Sequence, residues 1–170
     1  MRLFIAIPLG AALRAAVLEA QETFRRHGVT GNYTKPENLH LTLAFIGEYP
    51  DPDAVLDVLD AVPFRPFALR LNGVGAFGDL WWLGLERNPG LEAYVRRLRR
   101  ALAEAGVPFD SKRFSPHITL VRRAVAGSLG MPGIDVPRAA MTADYVSLMR
   151  SDRGRDGMIY TELGRAEPST

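Results

Sequence analysis

The chain has 170 residues, 47% of them apolar, which suits one domain or two small fused lobes with a packed core and argues against disordered and fibrous classes. It has no cysteine, so disulfides, thiolate nucleophiles and cysteine-rich zinc sites are excluded, and a reducing, cytoplasmic location fits. The formal net charge is only +2 and Lys35 and Lys112 are the only lysines, so the positive charge is almost all arginine, whose planar fork suits phosphate.

The opening Leu3 to Ile7 is β-rich and ends at Pro8; with one basic residue before it and Pro8 and Gly10 after it, it reads as a buried first strand and not as a signal peptide. Residues 11–27 carry apolar positions at helical spacing (Leu13, Val17, Phe24), with Gly28 as the stop. A β-branched and apolar run follows at 39–46, then a Pro-Asp-Pro turn and a short helix over 53–62. Phe67, Leu69 and Leu71 alternate with smaller or polar residues, and 81–85 is the next strand, the two pairing as a hairpin around 75–79. Leu91, Tyr94, Val95, Leu98 and Leu102 trace one face of a second long helix that Gly106 stops. A second histidine segment occupies 116–122. After a Gly- and Pro-rich loop come strands near 145–149 and 158–163 joined at Asp156-Gly157, and a frayed tail over 166–170. No stretch approaches the roughly 20 apolar residues a membrane span needs.

The two halves repeat an arrangement: a long helix stopped by Gly-Val, a loop, then a His-apolar-Thr-Leu strand. Gly28 precedes His40 by 12 residues and Gly106 precedes His117 by 11, with a lysine five residues before each histidine. Alternation along a strand puts His40 and Thr42 on one face and Leu39, Leu41, Leu43 and Phe45 on the other; His117 and Thr119 likewise stand opposite Ile118 and Leu120. If the lobes pack about a pseudo-twofold axis, the histidine faces meet in one cleft.

That pairing suits in-line attack on a phosphodiester, in which entering water loses a proton on one side of phosphorus and the departing oxygen gains one on the other. Imidazole, titrating near 6.5, supplies both functions at neutral pH, and each such transfer is worth about 10² to 10⁴ in rate. The threonine hydroxyls can donate to non-bridging phosphate oxygens. A metal site lacks a third ligand on either strand face, and neither phosphate-loop nor dinucleotide glycine patterns occur, so no metal and no cofactor is expected. His27, at a helix end, is a cap for the terminal carbonyls.

At these segments, and over nearly the whole chain, the sequence resembles the 2H phosphoesterase family, in its bacterial and archaeal RNA 2′,3′-cyclic phosphodiesterase branch, also called 2′-5′ RNA ligase. The residues that carry the likeness are Arg2 to Ile7, Glu37 to Gly47, Gly75-Ala76-Phe77, Leu80 to Gly84 and Phe114 to Arg122. The resemblance implies an α+β fold: a single bilobal domain over 1–170, pseudo-twofold, with two antiparallel sheets facing across a cleft and helices outside. It further implies metal-independent hydrolysis of cyclic RNA ends or cyclic nucleotides to 2′-phosphates by a monomer needing no membrane or protein partner. His40 would be the proton donor and His117 the acceptor, with Thr42 and Thr119 gripping phosphate; the residues alone leave the two histidines interchangeable. Arg122 matches a family arginine near the phosphate, yet alternation from His117 puts it on the opposite face, so a bulge or the strand end must re-aim it. Tyr33 stands near a family aromatic position and suits either stacking on a base or packing in its loop. Of Trp81 and Trp82, one is expected buried and one at the surface. The alternatives are a non-catalytic RNA-end or nucleotide-binding protein on the same fold, and the reverse reaction, 2′-5′ ligation at the same site.

Overall fold

The β-rich runs pair into two antiparallel sheets, seen in a computed structural model that describes residues 1–169. In chain order the elements are β1 (Arg2–Pro8), α1 (Ala11–Arg26), β2 (Thr30–Tyr33), a 3₁₀ turn at Pro36–Asn38, β3 (His40–Glu48), α2 (Pro52–Ala61), β4 (Phe67–Phe77), β5 (Leu80–Leu85), α3 (Pro89–Glu104), β6 (His117–Val125), β7 (Ala140–Ala143), β8 (Val146–Gly154) and β9 (Gly157–Ala166). One sheet has the order β3-β1-β8-β9 and the other β2-β6-β5-β4-β7. This is the expected α+β architecture. No helix among the described residues is long and apolar enough to cross a membrane.

Helix ends follow local chemistry. Asp51 and Asn88 each accept the backbone N–H three residues on, with proline at the first helical position of α2 and α3. The two long helices end alike: Val29 N–H donates to Phe24 O and Val107 N–H to Leu102 O, across glycines at φ 80° and 74°. The repeat in the sequence is therefore a repeat in backbone hydrogen bonding.

The helices are exchanged between the halves. The apolar stripe of α1 (Leu13, Val17, Ala20, Phe24) packs on β5 and β6, the sheet that bears His117, together with Trp81, Leu83, Ile118 and Leu120. That of α3 (Leu91, Val95, Leu98, Leu102) packs on β1 and β3, the sheet that bears His40, with Leu3, Ile5, Leu41 and Leu43; α2 joins the same core. Each half of the chain thus completes the core of the other.

Three details differ from the sequence reading. Strands β2 and β7 were not expected: each has four residues and lacks an alternating apolar row. The last turn is Arg155-Asp156 between paired Gly154 and Gly157, one residue earlier than expected. The expected fray at 166–170 does not begin at Ala166, which is buried at the end of β9; Ser169 N–H donates to Phe64 O at 2.7 Å, and Thr170 lies outside the described residues.

Candidate active site

Both histidines stand at the first residue of a strand next to a strand of the same sheet, β3 beside β1 and β6 beside β5, and β3 and β6 approach one another across the two sheets. The ring nitrogen Nδ1 of His40 lies 2.6 Å from Asn38 O, and that of His117 lies 2.7 Å from Ser115 O, each a carbonyl two residues upstream. A carbonyl only accepts, so Nδ1 carries the proton in both rings and Nε2 is left for chemistry. At His40 the Nε2 is 2.8 Å from Thr42 Oγ1, the two-residue partnership expected of a strand face.

Each imidazole is also held by aromatic rings. His40 packs against Phe4 (5.0 Å between centroids) and edge-on to Tyr160 (5.4 Å), while His117 packs edge-on to Phe77 (5.1 Å) and near Trp82 (6.2 Å). Burial in these apolar walls pushes both imidazoles below the ordinary histidine value; the carbonyl bonds oppose the shift, and the Arg122 guanidinium adds to it at both rings. His117 itself adds a smaller push at His40.

Arg122 reaches the cleft because β6 bulges. Trp82 pairs with Thr119 and Trp81 with Val121, so Leu120 is an extra residue; Leu120 and Val121 are both buried, and the alternation beyond them is reversed. The guanidinium therefore lies on the histidine side, lining the cleft with Tyr33 and Tyr160. β3 contains the same device at the same place: Ile5 pairs with Ala44 and Ala6 with Thr42, so Leu43 is extra, and Leu43 and Ala44 are both buried. Phe45, expected in the apolar row, is consequently turned out of the core and sits half-exposed under the Arg2 guanidinium at 5.1 Å. Phe45 is thus the counterpart of Arg122.

The exchanged helices supply side-chain donors to the carbonyls of both bulge residues, Leu120 O also accepting from the Thr34 N–H at 2.9 Å. Gln21 of α1, 1% exposed, donates from Nε2 to Leu120 O (3.0 Å) and Thr34 O (2.9 Å). Arg99 of α3 donates to Leu43 O from Nε (3.3 Å) and from one terminal nitrogen (3.1 Å), and to Lys112 O from the other (2.7 Å). Gln21 and Arg99 each precede their helix-stopping glycine by seven residues. A polar residue within the apolar stripe, four after Val17 and four after Val95, was the signal available in the sequence.

The other expected residues fall as follows. Thr119 stands half-buried opposite Trp82, its carbonyl accepting from the Thr34 hydroxyl at 2.9 Å. Tyr33 lines the cleft, with its hydroxyl donated to Val29 O at 2.8 Å and the Arg25 guanidinium 4.1 Å from its ring centre. His27 caps its helix, Nδ1 lying 2.8 Å from Thr23 O. Of the two tryptophans Trp81 is the buried one, against Phe24; neither is at the surface, Trp82 being half-buried beside His117 with its indole N–H enclosed without an acceptor among the described residues. Gly75 admits it, since a β-carbon there would collide with the indole ring.

Two histidine-bearing sheets across a cleft, each histidine paired with a threonine two residues on, define a 2H phosphoesterase. The chain belongs to the 2′-5′ RNA ligase superfamily, whose model matches residues 11–155. It is 35% identical to the RNA 2′,3′-cyclic phosphodiesterase of Thermus thermophilus, over 96% of this chain and 88% of that one, and 33% identical to the enzyme of that name from Escherichia coli, over 96% and 94%. The crystal structure of E. coli LigT complexed with 3′-AMP superposes with a TM-score of 0.81 at 29% identity, covering 99% of this chain and 98% of that one.

Proposed function

We propose that this protein is an RNA 2′,3′-cyclic phosphodiesterase that opens the cyclic end to a 2′-phosphomonoester, with no metal or cofactor. The observation that carries the reading is the pair of imidazoles, each locked through Nδ1 so that Nε2 is available, with one guanidinium acting on both. His117 Nε2 takes a proton from water as its oxygen attacks phosphorus. The bond from phosphorus to the ribose 3′ oxygen breaks, and His40 Nε2–H delivers a proton to that oxygen. Thr42, Thr119 and Arg122 donate to the non-bridging oxygens, where charge builds up in the transition state. The chain works as one bilobal unit, because α1 covers the sheet that bears His117 and α3 packs on the sheet that bears His40.

Neutral imidazoles suit the base, whereas the donor needs its proton; the anionic substrate, entering between the rings, raises both pKa values and offsets Arg122. The test is product analysis on an oligonucleotide with a defined 2′,3′-cyclic end, with chelator present. The expected product is the 2′-phosphate, lost in His40→Ala and in His117→Ala. A 3′-phosphate product, loss of activity in chelator, or turnover surviving in His117→Ala would overturn the mechanism.

A further inference from the structure

Beside the histidines the cleft continues as a trough of about 750 Å³ between β2, the 3₁₀ turn and the β8–β9 hairpin. Asn38 and Tyr160 join it to the reaction centre, the first through the carbonyl that holds His40 and the second through its ring against His40. Its walls carry Lys35, Arg122, Arg123 and Arg153 against a single carboxylate, Asp156, in a protein of net charge only +2. None of the four cations has an ion-pair partner among the described residues.

The arrangement is built, since one close-packed glycine and one strained residue maintain it. Arg123 is the one non-glycine among the described residues with positive φ, at 51°, a conformation that costs energy and is kept where the surroundings impose it. Gly31, at φ 149°, lets β2 lie against this stretch: a β-carbon there would stand 2.7 Å from a Val121 methyl and 2.8 Å from Arg122 O. Gly157, at φ 118° in the β8–β9 turn, lies beside the Lys35 side chain, whose Cε would be in ordinary contact, at 3.5 Å, with a β-carbon there.

The reacting diester carries one negative charge, and Arg122 with the two threonines meets it. Lys35, Arg123 and Arg153 face no anion of their own, and in a polynucleotide the anions that follow a cyclic end are its 5′ linkages. Such contacts supply affinity and register without reading sequence. We propose that this trough is a phosphate track for the RNA strand 5′ of the cyclic end, making the preferred substrate an oligonucleotide of at least two linkages and not a cyclic mononucleotide. The proposal rests on the cyclic-phosphodiesterase reading.

The test compares a cyclic-ended tetranucleotide with the matching 2′,3′-cyclic mononucleotide for wild type and the double variant Lys35→Ala/Arg153→Ala. In wild type, kcat/KM should favour the tetranucleotide by about tenfold or more at low salt, an advantage lost as salt rises. The double variant should lose that advantage, keep mononucleotide turnover within about twofold, and flatten the log–log salt dependence by roughly 0.7 per phosphate contact removed. Mononucleotide turnover controls for folding, and Lys35→Arg/Arg153→Lys should retain the advantage. Equal losses on both substrates, no loss on either, or an unchanged salt slope overturns the track. Wild type that turns over neither substrate sinks the functional reading itself.

Discussion

The two lobes share one backbone plan and differ in the side chain that follows each bulge. Each has a histidine tied to the carbonyl two residues upstream, a threonine two residues on, a bulge three residues on, and a polar side chain from the exchanged helix on the bulge carbonyl. Beyond the bulge, β3 presents Phe45 and β6 presents Arg122. A bulge is thus a neutral device: it turns the next side chain out of the core, and the residue there decides whether an apolar or a cationic group is presented. The Arg122 guanidinium comes from the His117 lobe, and both imidazoles feel its charge.

The largest effects should test whether the two histidines are equivalent. His40→Ala and His117→Ala should each lower kcat on a cyclic-ended oligonucleotide by about 10² to 10⁴. A diester with a phenolic leaving group needs no proton donor, so it should restore turnover to His40→Ala and leave His117→Ala inactive. Burial runs against a proton on either ring, and at His40 the charge of His117 adds to that push. Rescue of His117→Ala instead would exchange the roles.

The next comparison sets Arg122 against Phe45. Arg122→Ala should lower kcat by about 10² to 10³, as removal of a donor to developing phosphate charge does; Phe45→Ala should leave kcat within about threefold, since the Phe45 ring packs under Arg2 and touches neither histidine. Gln21→Leu strips Thr34 O of its side-chain donor and leaves Leu120 O with the Thr34 N–H alone, and should cost about 1–3 kcal/mol in urea unfolding. Because Gln21 holds the Leu120 bulge, Gln21→Leu should also couple to Arg122 in a double-mutant cycle on kcat/KM. Additivity there would show that the bulge aims Arg122 without Gln21.

The pH dependence gives smaller effects. With both imidazoles pushed below the ordinary value near 6.5, the proton the donor needs is lost from the free enzyme early, so the alkaline limb of kcat/KM should lie on the acid side of that value. The corresponding limb of kcat should lie higher, because bound phosphate favours the imidazolium. For stability the sign is opposite to that of a salt-bridged histidine. Depressed folded values favour the neutral ring, so the contribution is present above the unfolded value near 6.5 and is lost as pH falls through the folded ones. Urea unfolding across that range in His117→Phe should show a weaker acid-side decline than wild type. Smallest of all, Trp82→Phe should keep the wall beside His117 and change kcat by about threefold or less.

Both histidine strands, the long helices, the hairpin and the histidine–threonine faces were legible because each depends on period and spacing within one short stretch. Arg122 was legible only as a conflict, a residue type suited to phosphate at a position where alternation pointed it away. Phe45 raised no such conflict and was placed in the core. Phe4, Tyr160, Phe77 and Trp82, which clasp the imidazoles, come from strands distant in sequence or adjacent only through pairing, so alternation could give their side but not their partners.

The sequence by itself determined which side chains share a strand face, because alternation is a property of the local backbone. Tertiary structure decided which helix covers which sheet, since α1 and α3 present similar apolar stripes and only the chain's path selects between the sheets. It also decided where that alternation breaks, because a bulge is defined by register against a neighbouring strand and is held by a donor from another element. The face that carries the histidines was written in one dimension; the arginine that joins them required three.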